Sequence, residues 1–322
     1  MSTALHTRLS AELPAISRAL EQAVNALPAS VQPAVRHILD AGGKRLRPFL
    51  TVLFARLFGY RDTDVYPLAA AMELLHAATL LHDDVLDEAV TRRGKPAAHM
   101  RFGVVPAILG GDALLAHANK LVADYGDCRL SACFAEATLR TAAGEIQEIA
   151  YQRRVDQPPE IYNEIITGKT AWLLRAACEM GALRAGADLR ALDLATQYGL
   201  QLGMAFQLVD DALDFAPQET TGKPSCGDVR EGKLTPPLRL YREHLAPAER
   251  AAFDARFRAG DLDEAAAQSI GARIRELGFD IRGRQLADAH LERARAALHA
   301  LPDAPERAVL DHMIAYVRDR EK

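Results

Sequence analysis

The 322-residue sequence is short of several things, and each shortage removes a class of function. Its four cysteines, Cys128, Cys133, Cys178 and Cys226, form no Cys-x-x-Cys pair and no zinc spacing, so reduced thiols are expected rather than a disulfide framework or a zinc module. There is no excess of one charge: 39 Lys and Arg against 43 Asp and Glu leave a net charge of −4, which argues against coating nucleic acid or another polyanion. Any anion site must be built locally, against the overall sign. The uncharged run from Leu194 to Val209 carries Thr, Gln and Tyr and is too short to span a bilayer. The first residues, MSTALHTRLSAELPAI, include an acidic residue and no apolar stretch of signal-peptide length, so a cytoplasmic location is expected. No stretch alternates polar and apolar residues with strict period two, and no linker rich in Ser, Gly or Pro divides the chain.

What is present is helical. Apolar residues recur at helical spacing through Val31–Ala41, Pro48–Phe58, Tyr66–Asp87, Cys133–Gln152, Pro159–Leu183, Asp188–Asp214 and Leu286–His299. Prolines at 48, 67 and 159 stand where first helical turns should begin. These features predict an all-α fold in one domain over residues 1–322. The long stretch Pro217–Pro237, with glycines at 222, 227 and 232, reads as an irregular loop that closes over a ligand.

Two acidic clusters echo one another, DDVLD at 83–87 and DDALD at 210–214. Asp83 and Asp87 are i and i+4, as are Asp210 and Asp214, so each pair projects from one helix face, with Asp84 or Asp211 alongside. Gln207 lies one turn earlier on the second stripe. Like charges at that spacing repel, and both clusters end apolar segments, so a counter-charge is needed. A single such cluster is commonly a solvated face. Two of them fit a hard divalent cation with oxygen ligands, Mg²⁺ above all, joined to a diphosphate.

Basic residues accompany the clusters. GGKRLRP at 42–48 brings Lys44 and Arg47, the latter biased away from helix by the following proline. TRRGKP at 91–96 brings Arg92 and Arg93 directly after the first cluster; Lys169 and Thr170 interrupt a helix after Gly168; Lys223 and Lys233 lie in the long loop. His76 sits two turns before Asp83 on the same stripe, where a core histidine is the ordinary alternative.

The ordered set GGKRLRP, HxxxxxHDDxxDxxxxRRGKP and QxxDDxxD resembles the trans-polyprenyl diphosphate synthase family from about Gly42 onward. That resemblance implies an all-α, homodimeric prenyltransferase with a deep central cavity. It implies a Mg²⁺ cluster on Asp83, Asp84, Asp87, Asp210, Asp211 and Asp214, and an allylic diphosphate bound by Arg92, Lys169, Lys223 and Lys233. Lys44, Arg47, His76 and Arg93 match positions that hold isopentenyl diphosphate. Thr170 and Gln207 match polar positions near the carbocation. The sequence departs from the family at Glu148, where many relatives have Gln, and at Thr235-Pro236-Pro237, where Thr-Leu-Pro is frequent.

In short-chain members of the family a bulky aromatic stands four or five positions before the first aspartate; here those positions are Thr79 and Ala78. The product tail is then expected to pass that level towards Leu75 and Met72, giving an all-trans product near C40 for a quinone side chain. A geranylgeranyl or other shorter product is the alternative. A class I terpene cyclase and a non-catalytic subunit of a heteromeric synthase are disfavoured by the intact basic loop and by six surviving aspartates.

Overall fold

The computed structural model describes residues 3–217 and 225–320. Its helices are α1 (Thr3–Asn25), α2 (Gln32–Asp40), α3 (Leu46–Leu57), α4 (Val65–Leu86), α5 (Ala98–Phe102), α6 (Val104–Ala123), α7 (Cys128–Tyr151), α8 (Pro159–Ile166), α9 (Trp172–Arg184), α10 (Leu189–Leu213), α11 (Gly227–Glu231), α12 (Pro236–His244), α13 (Pro247–Ala259), α14 (Glu264–Glu276), α15 (Phe279–His299) and α16 (Pro305–Arg318). A π-helical turn, Thr167–Ala171, joins α8 to α9. The extended structure among the described residues is a two-stranded ribbon, β1 (Thr91–Arg92) and β2 (Lys95–Pro96), paired antiparallel. The fold is therefore all-α, as the helical periodicity predicts, and no helix among the described residues is long and apolar enough to cross a membrane.

The chain packs as two compact units. One comprises Met1–Thr138, Leu173–Thr196 and Ala300–Leu310; the other comprises Leu139–Trp172, Gln197–His299 and Asp311–Lys322. In the first unit α3 is buried over every residue from Pro48 to Leu57, and α4 is buried along most of its length. A helix apolar on all faces belongs in a core, and α4 is packed by α1, α3 and α6. Close approach of α6 to α4 needs Gly111, because a Cβ there would collide with the His82 ring. The second unit has its own apolar cluster, in which Phe215, Val229, Leu238, Phe253, Phe257 and Ile274 are buried together.

Three expectations are corrected. Residues 217–237 are not one irregular loop: α11 forms within them, and Pro236 starts α12, where a proline at the first helical position loses no hydrogen bond. Arg47 is helical, because α3 begins before it at Leu46; the unusual backbone belongs to Arg45, whose φ of 49° makes the turn after Gly42 and Gly43. Asp87 and Asp214 each fall one residue past the end of their helix. Lys223 lies outside the described residues.

Candidate active site

In the first unit the basic and acidic motifs meet. Arg93 and Gly94 both have positive φ, 52° and 76°, which turns the chain tightly between β1 and β2. That turn lays the Arg93 guanidinium on Gly43, where an added Cβ would lie 2.8 Å from it. Arg45 donates to Glu73 at 2.6 Å and to the Leu39 carbonyl at 2.7 Å, pinning the GGKRLRP segment to α4 and to the end of α2. Arg47 has a buried Nε without a hydrogen-bond partner, and burial lowers its pKa to about 10. His76 is held well below the ordinary histidine value, by burial first and then by Arg47, Arg93, Arg92 and Arg45. Arg47, His76 and Arg93 are thus one electropositive group with an orphan donor, while Lys44 is exposed at its edge. Such a group suits an anion richer in oxygens than the one carboxylate, Glu73, that faces it.

At the end of α4, Asp84 is fully buried and Asp83 half-buried, whereas Asp87 is exposed. Arg92 contacts Asp84 Oδ1 through Nε at 2.6 Å and Nη2 at 2.5 Å. The other oxygen, Oδ2, is buried without a partner. Met72, Leu75 and Ala78 are buried on the same helix, and Thr79 is partly buried, donating to the His76 carbonyl at 2.9 Å.

In the second unit the π-turn places Lys169 and Thr170. A Cβ at Gly144 would collide with the Lys169 amide, one at Gly168 would lie 2.8 Å from the Arg140 carbonyl, and one at Gly203 would lie 2.5 Å from Ala171 Cα. Backbone therefore meets backbone where the turn passes α7 and α10, and the extra residue of the π-turn aims two consecutive side chains at the cavity beyond. Thr170 donates to Gln207 at 2.7 Å, Gln207 donates to Asp211 Oδ1 at 2.7 Å, and the Tyr162 hydroxyl donates to Asp211 Oδ2 at 2.5 Å. Asp214 accepts the amides of Gly227 and Asp228, both at 3.0 Å, and so caps α11. Asp210 takes Arg320 on Oδ1 at 2.9 Å, and that guanidinium also stacks 4.2 Å from the centre of Phe206. Asp210 meets Arg320 through Oδ1, whereas Asp211 and Asp214 each spend both oxygens on protein donors.

These side chains line a cavity of about 240 Å³. Among the described residues that line it are five carboxylates, Glu148, Asp210, Asp211, Asp214 and Asp228, and three cations, Lys169, Lys233 and Arg320. Burial drives the Asp211 carboxyl up to about 7 and raises Asp214 and Asp228 as well. Lys169 and Lys233 are held protonated despite their burial, both by Glu148 first, with Glu145 beside Lys169 and Glu231 beside Lys233. Sequence reasoning set Glu148 aside and overlooked Tyr162, Asp228 and Arg320; no short-range motif announces them, since their partners lie far along the chain.

Among the described residues no three acidic, His or Cys side chains gather closely enough to hold a metal ion unaided. The chemistry of the set still fits a cation. Asp84 has an orphaned buried oxygen, and the second unit's cavity has five carboxyls, three of them raised, against three cations. An ion bound here would take one or two protein oxygens and complete its shell elsewhere, as Mg²⁺ commonly does with water and phosphate.

A polyprenyl synthetase family profile matches residues 28–273. The chain belongs to the polyprenyl synthetase family. Like the relatives that define it, this synthetase is a prenyltransferase. It is 34% identical to heptaprenyl diphosphate synthase component 2 of Geobacillus stearothermophilus over 99% of this chain and 98% of that one. It is 36% identical to octaprenyl diphosphate synthase of Escherichia coli over 88% of each chain. Its fold matches the polyprenyl synthase of Caulobacter crescentus, solved with calcium and isoprenyl diphosphate, with a TM-score of 0.93, 35% identity and coverage of 99% and 98%. Other curated relatives of this polyprenyl synthetase are geranylgeranyl and nonaprenyl diphosphate synthases.

Proposed function

We propose that the chain condenses isopentenyl diphosphate with an allylic diphosphate and repeats the step to a long all-trans product, near C40, that serves as a quinone side chain. The observation that carries the reading is the second unit's cavity, in which Lys169 and Lys233 stand among five carboxylates: alone it would repel a diphosphate, and with cations it becomes a diphosphate clamp. Asp83, Asp84, Asp87, Asp210, Asp211 and Asp214 would hold Mg²⁺, which when bound supplies electrophilic stabilisation of the departing pyrophosphate. In this reading residues 1–322 act as one catalytic domain; the family profile, which runs through segments of both units, favours that.

Arg92, Lys169, Lys223 and Lys233 bind the allylic diphosphate, and Lys44, Arg47, His76 and Arg93 bind that of the isopentenyl substrate. The allylic C–O bond breaks with its electron pair leaving on pyrophosphate. The isopentenyl double bond then attacks the allylic cation, and a proton passes to pyrophosphate. Thr170 and Gln207, oriented by Asp211, present oxygen dipoles beside the developing positive charge. No side-chain nucleophile is needed.

Small side chains at Ala78 and Thr79 support the long product, with Leu75 and Met72 as the next level of the floor. Exposed apolar side chains support a homodimer: Val105 and Leu109 on α6 are 65% and 57% exposed, and Leu139, Ile146 and Ile149 form a stripe on α7. The test incubates the purified chain with farnesyl diphosphate, isopentenyl diphosphate and Mg²⁺, then chromatographs the dephosphorylated products. A product near C40 is expected; nothing beyond C15 refutes the open floor, and a C20 product names Leu75 or Met72 as the stop. No turnover by the lone chain would instead favour a subunit role, such as the word component in the Geobacillus relative's name suggests.

A further inference from the structure

Glu148 occupies an unusual place among the carboxylates that touch the two lysines. Its Oε1 lies 2.5 Å from Lys169 Nζ and 3.3 Å from Lys233 Nζ, so one oxygen serves both. Each lysine also has a partner of its own: Lys169 meets Glu145 at 2.8 Å, and Lys233 meets Glu231 at 2.8 Å. Of these three glutamates, Glu148 alone is among the residues lining the cavity. The private partners stand outside the lining of the cavity, while the shared one stands in it beside both lysines.

We propose that Glu148 is a positioning residue that acts as an exchangeable counter-ion, drawing Lys169 and Lys233 onto one oxygen and competing with a diphosphate group for them. The inference rests on the reading of this cavity as a diphosphate site. Its consequence is a deliberately weak grip: a chain that extends its product repeatedly must discharge pyrophosphate after every addition, and an internal anion beside the lysines eases that release. Two effects oppose each other when Glu148 loses its charge. Repulsion of the ligand disappears, and part of the lysine alignment is lost. Because Glu145 and Glu231 remain, and an amide at 148 still offers an acceptor oxygen, the loss of repulsion prevails.

The experiment titrates inorganic pyrophosphate calorimetrically into the full-length chain in the presence of Mg²⁺, for the parent protein and for Glu148→Gln, Glu148→Asp, Lys169→Gln and Lys233→Gln. Glu148→Gln should tighten pyrophosphate binding about tenfold, while Glu148→Asp, which keeps the charge, stays close to the parent. In steady state Glu148→Gln should lower KM for the allylic diphosphate and lower kcat together, as release slows; a residue that merely braces the fold would raise KM. Glu148→Ala serves as a second charge-removing variant where circular dichroism shows that the amide variant has lost helix. Unchanged or weaker pyrophosphate binding in a folded charge-removing variant overturns the proposal. Should neither lysine variant weaken pyrophosphate binding, the diphosphate reading of the cavity itself fails, an outcome distinct from failure of Glu148 alone.

Discussion

DDVLD and DDALD are nearly the same words, yet the two units spell out different electrostatics around them. Asp84, buried at the end of α4, is answered by a guanidinium, with Arg92 contacting it through two nitrogens. Asp211, also buried near the end of α10, is answered by two neutral donors, Tyr162 and Gln207, and its carboxyl climbs to about 7. A salt bridge settles the charge question inside the protein. Hydrogen bonds orient a carboxylate but leave its desolvation uncompensated. On the proposed reading the second cluster is therefore where an incoming cation gains most, and the first is where a protein cation must be displaced or shared.

Removing a carboxylate from either acidic cluster should have the largest effect. Asp210→Ala and Asp83→Ala are each expected to lower kcat by about a thousandfold or more, with far-ultraviolet circular dichroism unchanged. Turnover retained in either variant would take that cluster out of the chemistry. Next in size are the partners. Arg92→Gln strands a buried carboxylate and should cost about 3 kcal/mol in chemical denaturation. Tyr162→Phe removes one neutral donor and should cost about 1–2 kcal/mol; equal costs would erase the contrast between the units.

A smaller effect concerns pH. Because the folded state raises the Asp211 carboxyl to about 7, its contribution to stability is complete below the unfolded value near 4 and is lost as pH climbs towards 7. Thermal unfolding without divalent ions should show that loss, and Mg²⁺ should raise the midpoint by more at pH 8 than at pH 5. An equal rise at both would mean that Asp211 does not feel the ion. The smallest effect is expected in the first unit. His76, kept neutral by burial and four arginines, should add no step to the dependence of KM for isopentenyl diphosphate between pH 6 and 8. A step abolished by His76→Phe would show an imidazolium there.

The sequence revealed the helices that carry the acidic clusters to within a residue or two, because α4 is a long apolar run and α10 carries an apolar stripe, both of which are legible locally. It concealed α6, whose Gly110-Gly111 packs against Leu81 and the His82 ring of α4. It misjudged Arg47, since the bias imposed by Pro48 yielded to a turn made two residues before Arg47 by Arg45 with its positive φ. At the site, residue types were readable and commitments were not. DDALD does not disclose that Asp214 is spent on capping α11, nor that Arg320, near the far end of the described chain, lies against Asp210. Hydrogen bonds between residues 49 or 110 positions apart leave no periodic trace.

The crossing of Gly144, Gly168 and Gly203 has a bearing on how such a protein can be altered. Where main chains touch without side chains between them, no compensating exchange on a neighbour can make room for a methyl group, so the turn that presents Lys169 and Thr170 is closed to gradual remodelling. Laboratory evolution towards other tail lengths should then collect its successful substitutions along the wall formed by α4 and leave those three glycines untouched.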